Sequence, residues 1–470
     1  MIYPLTRIVD RPEVGAAVLV DLNDELVATQ SGFDFGDPDF TVSVDDGSIV
    51  EGQRSITLPL VLRGSRGEVA RRLADLAMQV ARRGRWLLWQ WAPDSAPTWF
   101  RLVPSAPGAL DLNLAFVDAV GPQQWSWDLT LTADAFTRGQ RVTYPAVTVT
   151  NTGGDRGFTL TAAGDVPAPL RIDLAPSHDL HSRRVLVSTF SVPAGSSMVT
   201  SSGAPRLIAS DASFTPQGTA SRVSGQSFLS GTDGISIPVS ATTPTVVADG
   251  TWPWSPAPGT YAVYARLYRV GGSGHGRFRM AQVSNGIASW QGWSNDPTSP
   301  SWWRPEDGGN RASWHRIGIL RHPMGARSQG LRDGDVIAPS IQIQFQGSDS
   351  GSSSTIIIDQ LALIPLALEE GSCTVGMFDF TAGQGPTPTT VARIDGDTQR
   401  VSIIDGFGKV HPRRHPQVAG GWPTAWPGMV TCVTTLLDTS PAPSGVDSVA
   451  QSSTLTASIQ PRHIHLAGGA

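Results

Sequence analysis

The chain has 470 residues, including 50 glycines and 36 prolines, with charged residues at 16% and a formal net charge of −5. This length exceeds what one hydrophobic core usually serves, so we expect two or three domains. The turn-rich, weakly charged composition predicts mostly β-structure. The negative net charge argues against a general nucleic-acid binder, which needs a basic surface to release counterions from the phosphate backbone.

Two cysteines, Cys373 and Cys432, are too few for a disulfide framework or a zinc site. Two buried free thiols are the favoured interpretation, and a bridge between them is the alternative. The first residues lack the basic and apolar regions of a secretory signal, and no apolar run is long enough to cross a bilayer. We therefore expect a protein that is made in a cytoplasm and is not exported by the usual route.

Residues 1–154 predict a small β-sandwich that carries one helix. Short strands are expected before residue 50, and residues 54–91 change from a period of two to helical spacing and back. That change predicts the order strand, helix, strand. Because Pro59 cannot donate to a strand ladder, the first of these strands is predicted to lie at a sheet edge or to contain a bulge.

The helix is predicted over residues 65–84. Ser65 and Glu68 have the spacing of a capping box, and Gly84 is a suitable left-handed stop. One face carries an apolar stripe of Val69, Leu73, Leu76, Ala77 and Val80. The strand that follows, residues 86–91, is apolar on both faces, so it should be covered on both sides.

Residues 155–368 predict a two-sheet jelly roll, because short Thr, Ser, Val and Ile strands alternate there with Gly and Ser turns. The apolar run 355–365 is predicted as its central strand. Residues 369–470 predict a third β domain, with Asp-Gly pairs at 395–396 and 405–406 that indicate tight hairpins.

Three stretches give the chain a family resemblance. Residues 54–91, with an RSITL strand, a GSxxE helix start and a GRWLL strand, resemble the N-terminal domain of siphophage distal tail proteins, a class of minor tail protein. Residues 420–428, GGWPTAWPG, resemble a turn before a late strand in their second domain, and 460–466, QPRHIHL, resemble their closing strand. Residues 155–368 are similar to galactose-binding-type, carbohydrate-binding jelly rolls, with PLRIDL near the start and IIIDQLALIPL at the close. The resemblance implies a tail protein with an inserted jelly roll.

This resemblance implies a structural virion protein of the phage tail tip. No nucleophile elbow, P-loop, Rossmann fingerprint or zinc-protease motif appears in the sequence, so we expect neither an enzyme nor a cofactor-binding protein. Such proteins form a ring that connects the tail tube to the tip or baseplate. The implied partners are further copies of the chain, in a hexamer, with tail tube and tail-tip proteins, a host cell-wall glycan for the jelly roll, and phage DNA in transit. A negatively charged chain is compatible with a lumen to which DNA does not adhere.

The polar face of the helix is a candidate ring interface. Its arginines could pair with acidic residues of a neighbouring subunit such as Asp45, Asp46 and Glu51, although a solvated face is the alternative. The candidate interface residues are Arg71, Arg72, Arg82 and Arg83.

A tryptophan cluster in residues 289–316 is the candidate glycan site. Indole faces stack on the C–H surfaces of sugars, and nearby polar side chains could bind hydroxyls. The alternative, which we favour by a small margin, is that the tryptophans fill the jelly-roll core or a subunit contact. The candidate residues are Trp290, Trp293, Trp302, Trp303, Arg304 and Trp314, with Asn295, Asp296, Glu306, Asp307 and Asn310 nearby.

No other pattern points to a reaction. Histidine pairs at 178 and 181, 411 and 415, and 463 and 465 suggest metal binding, but no third ligand follows from the spacing, so surface or strand histidines are favoured. Carboxylates such as Asp359, Glu369 and Glu370 could serve glycoside hydrolysis only if the fold paired them. A carbohydrate-active or carbohydrate-binding surface protein is therefore the alternative function.

Overall fold

The computed structural model describes residues 4–24, 27–29, 32–42, 49–104, 118–121, 123–150, 157–177, 184–210, 213–226, 229, 233–271, 274–284, 286–293, 313–322, 338–348, 350–380, 386–411, 417–437 and 452–464. These residues contain one α-helix and otherwise form antiparallel sheets, which confirms the predicted all-β class with a single helix. No helix in this part of the chain is long and apolar enough to cross a membrane.

The N-terminal elements are strands of two to eleven residues and the helix. They are β1 (Leu5–Val9), β2 (Val18–Asp21), β3 (Val27–Thr29), β4 (Phe40–Val42), β5 (Ile49–Glu51), β6 (Gln53–Arg63), α1 (Arg66–Val80), β7 (Trp86–Gln90), β8 (Thr98–Arg101), β9 (Asp118–Gly121), β10 (Gln124–Asp134), β11 (Thr137–Arg138), β12 (Val142–Thr143) and β13 (Val147–Thr150).

The remaining elements are all strands. The next are β14 (Gly157–Thr161), β15 (Ala168–Pro176), β16 (Arg184–Val192), β17 (Ile208–Ser210), β18 (Phe214–Pro216), β19 (Ser221–Ser224), β20 (Asp233–Pro238), β21 (Thr245–Thr251), β22 (Gly259–Val270), β23 (Gly276–Ser284), β24 (Ile287–Trp290), β25 (Ser313–His322), β26 (Ser340–Gly347) and β27 (Thr355–Leu368). The last are β28 (Ser372–Asp379), β29 (Thr390–Asp395), β30 (Arg400–Asp405), β31 (Gln417–Gly420), β32 (Thr424–Ala425), β33 (Val430–Leu437), β34 (Ser452–Ile459) and β35 (Arg462–His463).

The chain divides into two compact units, of which the first comprises residues 1–142, 163–168 and 460–470. Its two main sheets have the strand orders β2-β1-β7-β8-β11-β35 and β3-β6-β10-β9. The strand β7 is covered on both faces, as predicted: Leu87 and Trp89 belong to the main core, whereas Trp86 packs with Val9 and Trp99 in a separate cluster. The sheet therefore holds this strand in its interior.

The helix α1 begins at the predicted capping box. The Ser65 backbone N–H donates to the Glu68 carboxylate at 2.8 Å, and the Glu68 N–H donates to the Ser65 hydroxyl at 3.4 Å. The helix ends at Val80 and not at residue 84, so Arg82 and Arg83 follow its C-cap, and Gly84 adopts a left-handed φ of 74°. The predicted apolar stripe is buried: Val69, Leu73, Leu76, Ala77 and Val80.

The prediction that Pro59 marks an edge or a bulge is wrong. β6 lies between β3 and β10, and its register with β10 runs through Pro59 without a shift. Thr57 exchanges both backbone hydrogen bonds with Asp34, on the side of β6 that faces β3. Since N–H groups alternate sides along a strand, Pro59 points to that same side. It lies there between the Asp34 bridge and the last β3 pair, Thr29 with Leu60, so no ladder bond of β10 is lost.

The second unit, residues 143–162 and 169–459, contains two sandwiches. One is called the outer sandwich, because its strands precede and follow residues 208–368 in the sequence. It has one sheet ordered β12-β34-β15-β29-β30, which β13 and β32 also join, and a second ordered β14-β33-β16-β28-β31. The jelly-roll sandwich has one sheet ordered β19-β20-β27-β22-β25, with β17 beside β27, and a second ordered β18-β21-β26-β23-β24. β27 is central, as predicted from its apolar run.

Strand pairing divides the chain differently from the boundaries predicted at 154/155 and 368/369. β14, β15 and β16, predicted as part of the jelly roll, pair instead with strands between residues 372 and 459. Strands of the jelly-roll sandwich pair only among themselves, within residues 208–368. β35, predicted as part of the third domain, pairs with β11 of the first unit. Sequence periodicity identifies strands but not their distant partners, and the partners define the sandwiches.

The two sandwiches of the second unit share one core. Leu186, Phe190 and Leu436 of the outer sandwich belong to the same buried cluster as Tyr261 and Leu363 of the jelly-roll sandwich. β16 is buried along its described length, which places its sheet between two apolar layers.

The cysteines are free thiols, as favoured from the sequence, but only Cys432 is fully buried, whereas Cys373 is partly buried. Cys373 and Cys432 both pair with Phe190, but from opposite sides of β16. Two strand spacings amount to about 9–10 Å, which exceeds the ~7 Å limit between the Cα atoms of a disulfide. Desolvation raises the pKa of Cys373 to about 11 and that of Cys432 to about 12.

We expect both thiols to react slowly with a disulfide reagent at pH 8 in the folded protein. At a pKa of about 11, roughly one Cys373 thiol in a thousand is ionised, and the thiolate is the reactive form. Absorbance of the released thiol should rise slowly and reach two equivalents only in denaturant. The variant Phe407→Cys, at a side chain that is 99% exposed, should add one fast equivalent. Fast labelling of the unmodified chain would contradict this prediction.

A buried ion pair lies in the jelly-roll sandwich. The guanidinium of Arg266 on β22 donates to the carboxylate of Asp359 on β27, and each side chain is 1% exposed. Two charges removed from water are tolerated only when each offsets the other. Asp359 is therefore the buried counter-charge of Arg266.

We expect Asp359→Asn to destabilise the second unit by about 3–5 kcal/mol, because it leaves a buried guanidinium without its counter-charge. The matched control is Asp173→Asn. Asp173 binds Arg393 through two bonds of 2.8 Å, but both side chains are partly exposed, so the expected cost is at most about 1 kcal/mol. Thermal unfolding followed by calorimetry measures both variants. Equal midpoints for the two variants would show that burial of the pair does not govern stability.

Candidate functional site

The structure separates the predicted tryptophans. Trp290 ends β24, Trp293 follows three residues later, and Trp314 lies on β25; all three are half-buried. Trp314 packs against the shared core, as the alternative interpretation expects, whereas neither Trp290 nor Trp293 belongs to a described core cluster. The other candidates and their polar neighbours lie outside the described residues: Trp302, Trp303, Arg304, Asn295, Asp296, Glu306, Asp307 and Asn310.

Trp290 and Trp293 line a pocket of about 540 Å³, hereafter the tryptophan pocket. It lies where β24, the edge strand of one jelly-roll sheet, approaches β25, the edge strand of the other. This volume is within the range of about 300–1,000 Å³ that small-molecule sites occupy. The described lining residues are Gln282, Ser289, Trp290, Gln291, Gly292, Trp293, Arg316, Ile317, Gly318, Ile319 and Arg321.

Two glutamine amides hold the pocket wall in place. The Gln282 side chain donates to the Arg321 carbonyl at 2.8 Å and accepts from the Arg321 N–H at 3.3 Å. The Gln291 amide accepts from the Ile319 N–H at 2.7 Å and donates to the Ile319 carbonyl. These contacts satisfy the backbone groups on the free edge of β25. Both amides are therefore committed to the frame of the pocket.

Arginines hold the indole rings from outside the cavity. The guanidinium carbon of Arg277 lies 4.4 Å from the Trp293 ring centre, and that of Arg279 lies 4.7 Å from Trp293 and 5.2 Å from Trp290. Arg277 also donates to Gln346 at 2.6 Å. Neither arginine lines the pocket. Cation–π contacts with anchored guanidiniums restrict the orientation of both rings.

The described lining residues suit the binding of a ligand. Arg316 is half-buried and Arg321 is exposed, and no described residue forms a side-chain hydrogen bond or ion pair with either guanidinium. The described lining contains no Asp or Glu. A pocket with aromatic faces and positive charge can hold and orient a ligand, but general acid–base chemistry needs a titratable partner.

Sequence reasoning did not find the glutamines or the arginines of this site. Arg277 and Arg279 alternate with buried Phe278 and Met280 on β23, a pattern that could have placed both arginines on one outward face. Their position beneath the tryptophans depends on the β23–β24 hairpin. Gln282 and Gln291 carry no signal in the sequence, because their role depends on the approach of a strand from the other sheet.

The candidate interface residues on and after α1 differ in their surroundings. Arg71, Arg82 and Arg83 are exposed. Arg72 instead donates to the Asp24 carboxylate and to the Asp21 carbonyl, the latter at 3.0 Å. Its guanidinium therefore already forms an ion pair within the unit. The suggested acidic partners are also partly committed: Glu51 binds Arg462 at 3.2 Å, while Asp45 and Asp46 lie outside the described residues.

The described histidines do not form a metal site. His411 Nε2 lies 4.0 Å from Asp405, and His463 Nδ1 lies 3.5 Å from Asp165. No group of three potential ligands occurs among the described residues. Glu369 and Glu370 are exposed, and desolvation followed by repulsion from Glu370 raises the pKa of Glu369. The other predicted histidines lie outside the described residues: His178, His181, His415 and His465.

Comparison with known proteins finds similarity among solved structures. No protein-family model and no curated protein matches the chain. Among solved structures, the chain is similar to the Dit (gp 19.1) protein of SPP1, described as a paradigm of the hub adsorption apparatus in phages that infect Gram-positive bacteria. The identity is 9%, the match covers 97% of this chain and 99% of that chain, and the TM-score is 0.28. A similarity of this size carries no conclusion about the present chain.

We expect Gly318→Ala to destabilise the second unit by about 1–3 kcal/mol, the usual cost of forcing an extra methyl group into a packed site. A Cβ at Gly318 would lie 2.8 Å from both Gln291 Oε1 and Met280 Cβ. Gly292→Ala is the matched control, because a Cβ there meets nothing within 4 Å. The midpoint of thermal unfolding should fall for the first variant only. An unchanged midpoint for Gly318→Ala would mean that Gln291 does not hold the wall of the pocket.

Proposed function

We propose that the chain is a structural protein of a phage tail tip, which forms a ring between the tail tube and the tip and lets DNA pass during ejection. The observation that carries this proposal is the composition of the first unit. Residues 54–91 and 460–464, which resemble distal tail proteins at opposite ends of the chain, fold into the same unit. β7 and β35 belong to one sheet. Two resemblances found independently therefore fall in a single structural unit, which supports their common origin.

The proposed partners follow from this role. They are further copies of the chain, in a hexamer, together with tail tube and tail-tip proteins, and the proposed location is the tail tip of the virion. Arg71, Arg82 and Arg83 are the proposed arginine contribution to the ring interface, since all three are exposed. Isolated surface ion pairs contribute little, so apolar contacts have to supply most of the interface free energy.

The jelly-roll sandwich has a second proposed role, the binding of a host cell-wall glycan. The tryptophan pocket supports it, because two oriented indole rings and a pocket of about 540 Å³ suit a sugar. The rival function is that of a carbohydrate-binding or carbohydrate-active surface protein that does not assemble into tails. The same pocket would serve both, so assembly discriminates between them.

We expect the purified full chain to form rings, visible by negative-stain electron microscopy and of hexameric mass by multi-angle light scattering. The double variant Arg82→Glu, Arg83→Glu should shift the mass towards the monomer, because it reverses the charge of the proposed interface. Arg400→Glu, also at an exposed arginine, should leave the mass unchanged. A chain that stays monomeric at high concentration would contradict the ring. Hydrolysis of a polysaccharide panel by a monomer would favour the rival function.

A further inference from the structure

We propose that the tryptophan pocket takes an acidic saccharide, that is, a sugar that carries a carboxylate or a phosphate group. This inference rests on the glycan-binding part of the proposed function and adds the charge of the ligand. Its support comes from the donors that the pocket leaves for a ligand, from the charge of its lining and from an irregularity of β25.

The polar groups left for a ligand are mainly donors. Pockets for neutral sugars need acceptors as well as donors, because each hydroxyl can do both. Here the amide oxygens of Gln282 and Gln291 already accept from the backbone of β25. Each amide oxygen keeps one lone pair. The other polar side chains of the described lining are the guanidiniums of Arg316 and Arg321, which only donate, and the hydroxyl of Ser289. A ligand rich in acceptors fits this set.

The charge of the pocket points the same way. Its described lining contains two arginines and neither aspartate nor glutamate. Arg277 and Arg279 lie directly behind Trp293, which adds two cations within the distance over which charges act at physiological ionic strength, about 8–10 Å. Guanidinium groups bind carboxylate and phosphate oxygens through two parallel hydrogen bonds. The described lining therefore favours anions over cations.

A β-bulge brings Arg316 and Arg321 to the same pocket. Arg321 follows Arg316 by five positions, and in a regular strand an odd offset places two side chains on opposite faces. The register between β22 and β25 shifts so that Tyr264 pairs with Arg316 and Val263 with Gly318, leaving Ile317 unpaired. Ile317 and Leu320 remain in the core, and both arginines line the pocket. Bulges redirect side chains in this way beside binding sites.

The indole rings bind the sugar ring itself, whereas the arginines bind its acidic substituent. A saccharide ring packs its C–H face on an aromatic side chain, and the arginines bind the acidic substituent. Arg277 and Arg279 contact the rings from outside the pocket, so the surfaces of Trp290 and Trp293 that line it remain available. A neutral sugar would use only the stacking half of this site.

The test is calorimetric titration of the full chain with two matched pairs of probes. The first pair is tetragalacturonate and its methyl ester; the second is a phosphate-substituted tetrasaccharide and its dephosphorylated form. We expect at least one acidic probe to bind about 10- to 100-fold more tightly than its neutral partner, the factor for one or two charge-assisted hydrogen bonds. Which acidic probe binds identifies the carboxylate or the phosphate as the recognised group. The affinity should fall as salt is added.

Variants distinguish the contribution of the arginines to binding from that of the tryptophans. Arg316→Gln and Arg321→Gln should each weaken binding of the acidic probe about tenfold or more and leave the neutral probe unchanged. Trp293→Ala should weaken both probes, and Arg400→Gln, outside the pocket, should change neither. Because Arg321 is exposed, its variant should keep the wild-type melting temperature and remain informative if Arg316→Gln does not fold.

Two outcomes would overturn the inference, and they can be told apart. Equal affinity for the acidic and neutral members of both pairs, lost in Trp293→Ala, would leave a sugar site and remove its preference for charge. No binding of any probe at millimolar concentration would remove the glycan role as well. The ring is tested separately by the mass of the assembly, so neither outcome bears on it.

Discussion

The pairing of β16 with both β28 and β33 is the constraint on which the second unit depends. β16 ends at Val192, β28 begins at Ser372, and Ser191 pairs with Ser372 in the ladder between them. The chain thus leaves and re-enters the outer sandwich on neighbouring strands, about 5 Å apart. We call this junction between the end of β16 and the start of β28 the seam. Gly371 lies at this seam with a φ of 152°, and a Cβ there would stand 2.2 Å from the Ser191 carbonyl oxygen. Only glycine fits the seam without displacement of the backbone.

Local features of this fold could be predicted from the sequence, and distant ones could not. Ser65, Glu68 and the stripe on α1 are local signals, because capping and amphipathic burial depend on residues within a few turns. The pattern of residues 170–174 and 185–190 predicts strands, but the partners of these strands lie some 200 residues later, where many apolar strands compete with equal periodicity. Pro59 marks neither an edge nor a bulge, because its missing N–H affects only one side of β6.

In the candidate site too, the sequence predicts local features but not those that depend on distant parts of the chain. Trp290 and Trp293 could be selected from the sequence, since a dense run of tryptophans in a β-rich chain is unusual. The committed amides of Gln282 and Gln291 could not be foreseen, because they depend on the approach of two sheet edges from different sheets. The bulge at Ile317 leaves no sequence mark either, and without it Arg316 and Arg321 would be assigned to opposite faces.

The seam at Val192 and Gly371 affects how readily the jelly roll could be replaced by another domain during evolution. Ends that lie on neighbouring strands can be rejoined by a short turn, so recombination at this point preserves the outer sandwich. The shared core opposes such exchange, since Leu186, Phe190 and Leu436 would meet water once the jelly roll was lost. A replacement domain therefore has to bring an apolar face of similar shape. Sequence change in the jelly roll should accordingly proceed by point substitutions more readily than by replacement of the whole domain.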